Sequence, residues 1–160
     1  MCYSAAWTNS AARPQDARRA LRAFLVHVPR TGRALLPQHV VLDAELIVSE
    51  LITNPVRHAP GPCGRTLRLC GNELAITVWD TSTEEPEFKR PDPHRVGGHG
   101  LPLVRAASNR VSVTRRPPGK QITAHLLLTD DNAGTSTIHR TVLRAPLAQK
   151  KHPTRTEPGN

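Results

Sequence analysis

Apolar residues in the first half of the chain recur three and four apart, whereas later ones alternate. Behind Pro14, residues Ala17, Ala20, Leu21, Phe24, Leu25 and Val28 share one side of a helical wheel, and Arg18, Arg19 and Arg22 stay on the wet side. The pattern predicts a helix opened by Pro14, with Asp16 in its first turn, and ended by Pro29. A loop follows to Pro37. From Gln38 a second stripe through Val41, Leu42, Leu46, Ile47, Leu51 and Ile52 predicts the longest helix of the chain. Pro60, Gly61 and Pro62 forbid its continuation past His58 and Ala59, where Arg57 and His58 complement the negative end of the helix dipole.

Beyond that break the period becomes two. Thr66–Cys70, with Leu67 and Leu69, and Leu74–Asp80, with Ile76 and Val78, predict two strands joined by a turn at Gly71, Asn72 and Glu73, with Cys63 in the preceding turn. Residues 81–94 are polar and punctuated by proline, with Phe88 as their one anchor, and read as a mobile loop suited to a lid. Gly97, Gly98 and Gly100 then lead into a helix carrying Leu101, Leu103, Val104 and Ala107. A last hairpin runs from Arg110 to Arg115 and from Gln121 to Leu128 around Pro117, Pro118 and Gly119. Val111 and Val113 face one way, and Ile122, Ala124, Leu126 and Leu128 line the inner side. The stretch CYSAAW near the start reads as an edge strand, and 129–160 is polar enough to predict disorder.

Composition narrows this picture. With 160 residues, of which 38% are apolar, the chain can form one domain, spanning 14–128, between an N-terminal segment 1–13 and the C-terminal tail. A net charge of +9 raises the question of nucleic acid, but the basic residues are scattered and aromatics are few, so no stacking platform is visible. Basic surface equally suits a nucleoside triphosphate or an acidic protein. Three cysteines without CxxC spacing and no signal-like apolar segment point to a reducing cytoplasm, and no apolar run is long enough to span a bilayer. The eight histidines form no HExxH or Cys/His cluster, which argues against a transition-metal site.

Candidate chemistry gathers at three places. Glu50 and Asn54 stand four apart on the long helix and project from one side, so a proton acceptor neighbours a hard amide-oxygen ligand suited to magnesium; a merely solvated helix face is the plainer alternative. Asp80 ends an apolar strand where the polar loop begins, so its carboxylate can face a pocket mouth; a simple turn residue is the plainer alternative. The glycines before Leu101 free backbone amides at a helix N-terminus, which attracts phosphate; a flexible hinge is the plainer alternative there.

In this order the segments resemble the GHKL (HATPase_c) ATPase superfamily, and within it the small ATP-binding domains related to actinobacterial anti-sigma-factor serine kinases. The resemblance runs from about Pro14 to Leu128. ELITNPVRHA looks like the N-box, which makes Glu50 the general base and Asn54 the ligand of the Mg²⁺ that bridges the phosphates. VWDTS looks like the G1 box, whose aspartate, here Asp80, accepts a hydrogen bond from the adenine amino group. GGHGLPLV looks like the G2 box, where Gly98, Gly100 and Leu101 would meet the phosphates. The resemblance implies an α+β fold: a two-layer α/β sandwich with helices on one face of a mixed, mostly antiparallel sheet. It also implies ATP and Mg²⁺ as cofactors, transfer of the γ-phosphate to a serine of an anti-anti-sigma (STAS-type) partner, and a sigma factor as second partner; a homodimer is compatible with it.

Four positions depart from that pattern. Pro55 follows Asn54, where a helix-interior proline removes an amide and clashes with the carbonyl of Leu51, at a cost of ~3 kcal/mol unless a kink absorbs it. Ser82 and Glu84 stand where the G1 box has glycines, and Lys120 stands near the place of a family threonine. The competing expectations are a degenerate nucleotide-binding or sensing module without kinase activity and, third, a basic nucleic-acid binder.

Overall fold

The computed structural model describes residues 1–8, 11–27, 36–59, 61–84 and 100–128. Eight elements follow in order: β1 (Cys2–Trp7), α1 (Pro14–Val26), α2 (Gln38–His58), β2 (Cys63–Cys70), β3 (Glu73–Asp80), α3 (Gly100–Ala107), β4 (Arg110–Arg116) and β5 (Gly119–Leu127). The strands form one five-stranded sheet in the order β1-β2-β3-β5-β4.

Every pairing in this sheet is antiparallel, so the expected mixed character is corrected. The reason lies in the connection between β3 and β4. It passes through α3 and delivers β4 to the far side of β5, so the two strands that share a direction are not neighbours. What holds is an α+β arrangement with helices against one face of an antiparallel sheet.

Alternation explains which face is covered. Leu67 and Leu69, Leu74, Ile76 and Val78, and Ile122, Ala124 and Leu126 are buried on the helix side. The opposite face carries in register Ser4, Thr66, Thr77, Thr123 and Ser112, one from each strand, with Ser4–Thr66 and Thr77–Thr123 hydroxyl pairs at 3.0 Å. From the helices come Ala17, Leu21, Phe24 and Leu25 of α1, Val40, Ala44, Ile47, Val48, Leu51 and Ile52 of α2, and Leu101, Val104 and Ala107 of α3. Each fully buried Leu or Ile contributes about 1.5–3 kcal/mol relative to an exposed one. Helix α2 lies between α1 and α3 and reaches both β3 and β5, so its orientation fixes the Glu50 side relative to the sheet.

Several boundaries differ from expectation. Strand β2 begins at Cys63, three residues before the expected Thr66, because Cys63, Gly64 and Arg65 are paired on both sides, with Trp7, Ala6 and Ala5 and with Asp80, Trp79 and Val78. Cys63 is therefore a buried strand residue and not part of a turn. The intervening hairpin has Gly71 and Asn72 as its loop, with Cys70 opposite Glu73, and Gly71 adopts φ +59°, which glycine reaches without a Cβ penalty. The buried stripe of α2 is rotated from the expected one, so Leu42 is exposed, and Val113 is exposed on the edge strand. Helix α1 closes at Val26; Val28 and Pro29 lie outside the described residues, as do Phe88, Gly97, Gly98 and the tail 129–160.

One polar group is built into the helix–sheet junction. Arg65 is 1% exposed, donates Nη1 to the carbonyl of Ala17 at 3.0 Å, and lies over the rings of Tyr3 and Trp7 at 5.5 and 5.7 Å. Burial pushes this guanidinium below the ordinary arginine range, with Tyr3 acting weakly in the other direction. Edge strand β1 and helix α1 are thereby tied to one side chain of β2.

Candidate functional site

The chemistry on α2 starts from its two faces. Its buried face is apolar except for Glu45, which is 8% exposed and receives two hydrogen bonds from Arg22 of α1, one from Nε and one from Nη2, the latter at 2.9 Å. The Arg22 hydrogen bond lowers the Glu45 carboxyl against the opposing effect of burial, and the same pairing raises Arg22. This glutamate links helices. Ser49 also binds back to the carbonyl of Glu45 at 2.7 Å and accepts from Arg18 Nη1 at 3.0 Å, so the α1–α2 seam is cross-braced.

Glu50 stands on another side of α2, half-buried, and its carboxylate reaches the start of α3. A Cβ placed on Gly100 would lie 2.5 Å from Glu50 Oε2, closer than real side chains approach. Glycine at 100 therefore leaves the space this carboxylate uses. The Gly100 and Leu101 backbones form the first turn of α3, whose amides carry partial positive charge. Leu101 itself is a core residue, 8% exposed, so what it can offer a ligand is its backbone and not its side chain. Asn54 follows one turn after Glu50 and is half-buried.

Pro55 sits inside α2, yet the helix runs through it to His58, and Ala59 donates to the Pro55 carbonyl at 2.9 Å. The side chain of Pro55 is buried. Its packing against the core offsets part of the proline penalty, and Asn54 keeps its place in a continuous helix.

Asp80 closes β3 on the helix-facing side and is 5% exposed. Its Oδ1 accepts the Ser82 backbone N–H at 2.9 Å and the Lys120 Nζ at 3.0 Å. Lys120 stands directly opposite Asp80 in the β3–β5 ladder, and both side chains are nearly enclosed, 9% and 3% exposed. Two glycines crowd the same corner. A Cβ on Gly119 would fall 1.9 Å from the Asp80 carbonyl oxygen, and one on Gly61 would fall 2.7 Å from Thr81 Oγ1. Burial raises the neighbouring Cys63 thiol, and the charge of Asp80 raises it further.

The structure thus joins Glu50 to Gly100 and gives Asp80 a buried corner of its own at the end of β3; Gly98 lies outside the described residues. Sequence reasoning noted Lys120 but not its partner. Finding the pair requires the β3–β5 register, since 40 residues separate the two in sequence. Among the described residues no group of three or more His, Cys, Asp or Glu could hold a metal ion, and no helix is long and apolar enough to cross a membrane.

A carboxylate beside a helix N-terminus, an amide one turn away and a buried aspartate at a strand end offer a proton acceptor, a hard oxygen ligand and a further hydrogen-bond acceptor. Residues 10–126 match the family described as Histidine kinase-like ATPase domain. No curated protein matches the chain.

Proposed function

The chain belongs to the histidine kinase-like ATPase domain family, whose domain implies ATP binding, and from that premise we propose an ATP-dependent regulator that phosphorylates a serine of a partner protein. The observation that carries the proposal is the contact of Glu50 with the glycine that opens α3. A carboxylate beside helix-opening amides, which suit phosphate, supports Glu50 as the base.

The residues present fit Mg·ATP. Asn54 supplies one amide oxygen, a hard ligand of the kind magnesium accepts when phosphates and water complete its shell, and Glu50 is left free to act as the base. Bound there, the ion would offset phosphate charge. The backbone N–H groups of Gly100 and Leu101 would hold phosphate oxygens, and Asp80 Oδ2, which receives neither of the two bonds made to Oδ1, would accept from the adenine amino group. Glu50 takes the proton of the acceptor serine as its oxygen forms a bond to the γ-phosphorus, the bond from that phosphorus to the β,γ-bridging oxygen breaks, and ADP leaves. The acceptor is proposed to be an anti-anti-sigma protein of STAS type, with a sigma factor as the regulated partner.

A second reading keeps nucleotide binding without transfer. Pro55 beside Asn54 and Lys120 on Asp80 favour it, because both alter the surroundings of a proposed ligand group. Phosphorylation of a STAS-type partner with radiolabelled ATP separates the two. Wild type transfers label and Glu50→Ala binds ATP but keeps only a small residual transfer; equal labelling by that variant removes Glu50 from the base role. Calorimetry of Asp80→Asn tests the other end of the site, and ATP affinity equal to wild type would sink the adenine assignment.

A further inference from the structure

The buried ion pair at the end of β3 is more than a structural clasp. We infer that Lys120 is a positioning residue for the nucleobase: it holds the Asp80 carboxylate through Oδ1, so that Oδ2 is left to accept from the base. The inference rests on the proposed ATP-binding role and adds a residue to it.

Three observations support it. The two hydrogen bonds that described residues give Asp80, from Lys120 Nζ at 3.0 Å and from Ser82 N–H at 2.9 Å, land on the same oxygen. The side chains are 9% and 3% exposed, so the lysine supplies most of the countercharge that a carboxylate removed from water requires. Lys120 also stands directly across from Asp80 in the β3–β5 ladder, so its ammonium meets Oδ1 from the neighbouring strand.

The local backbone serves the same geometry. Gly119 approaches the Asp80 carbonyl where a Cβ would lie 1.9 Å away, and this close approach sets Lys120 directly across from Asp80. A turn with both donors on one oxygen fixes the rotation of the carboxylate about its axis. A carboxylate fixed in this way presents one defined acceptor, and purines that differ in the group at position 6 are told apart by whether they can donate to it.

The test compares ATP with purine riboside triphosphate, which lacks the 6-amino group, by calorimetry on wild type, Lys120→Met and Lys120→Arg, with folding checked by thermal melting. Wild type is expected to prefer ATP by roughly tenfold or more, the worth of one hydrogen bond to a charged acceptor. Lys120→Met should lose ATP affinity while keeping that for the analogue, so the ratio falls to about one, and Lys120→Arg should restore part of it. A Met variant that keeps the wild-type ratio, or loses both ligands equally, overturns the positioning role. Equal binding of the two by wild type overturns the adenine assignment as well, which separates failure of the premise from failure of the inference. If Lys120→Met does not fold, the ¹⁵N resonance of the Lys120 ammonium in the unaltered chain decides. It should move with ATP and stay with the analogue, and an unmoved or equally moved signal refutes the assignment.

Discussion

Replacing Gly100 by alanine should separate stability from chemistry in opposite directions. The new Cβ would stand 2.5 Å from Glu50 Oε2, so the carboxylate must retreat by about 0.9 Å to regain the 3.4 Å of ordinary contact. The end of a glutamate side chain can do this at small cost, because it moves by rotamer change without shifting α2. Alanine meanwhile favours helix over glycine by at most about 1 kcal/mol, less at a first helical residue, so the melting temperature should hold or rise by a few degrees. A displacement of about 1 Å at a reacting group costs on the order of a hundredfold in rate, so serine phosphorylation should fall by about that factor. Thermal melting and single-turnover transfer measure the two arms, and a double-mutant cycle with Glu50→Ala isolates the contact. In the Glu50→Ala background the Gly100→Ala substitution should leave residual transfer unchanged. A Gly100→Ala protein that melts many degrees lower, or that transfers phosphate at the wild-type rate, refutes the view that glycine is there to make room for the carboxylate.

Other consequences follow from the same packing. Gly119→Ala cannot be relieved by a flexible side chain, since its Cβ would meet a backbone oxygen at 1.9 Å; calorimetric or denaturant unfolding should show a loss of several kcal/mol, with ATP binding lost alongside. Leu51→Ala, at a site 1% exposed in the centre of α2, should destabilise by about 2–5 kcal/mol in a urea titration, with nucleotide affinity of the folded fraction little changed. Glu45 has its carboxyl depressed below the ordinary 4.5 by Arg22, so its contribution to stability is present above that value and is lost as the pH falls through the lower folded one. Melting temperature against pH should therefore drop on the acid side less steeply in Glu45→Gln than in wild type.

What was legible in the sequence was whatever depends on one element at a time. The bounds of α2, the β3 strand and the inner face of β5 follow from apolar spacing, and each of these elements buries its own stripe. What escaped depends on partners distant in the chain. Cys63, Gly64 and Arg65 look like turn residues until β1 and β3 are laid on either side of them. Arg65 is buried only because Tyr3, Trp7 and the Ala17 carbonyl surround it, and no local pattern announces a buried arginine. The rotation of the α2 stripe away from Leu42 likewise follows from helices packing on both sides of it.

The two glutamates of α2 show how far spacing alone could go. Both are five residues apart on a helix and neither is distinguished by its neighbours in sequence, so only the Asn54 partner favoured Glu50. The fold then gives them different surroundings. Glu45 turns toward α1, where Arg22 grips both of its oxygens; a carboxylate held ionised by a cation is a weak proton acceptor and is closed to a substrate. Glu50 turns toward α3, where its carboxylate lies against the glycine that opens that helix. A base needs an accessible oxygen and a place beside it for the group that gives up its proton. Of the two glutamates, Glu50 is therefore the one proposed as the base, and Gly100, by having no side chain, leaves the space its carboxylate uses.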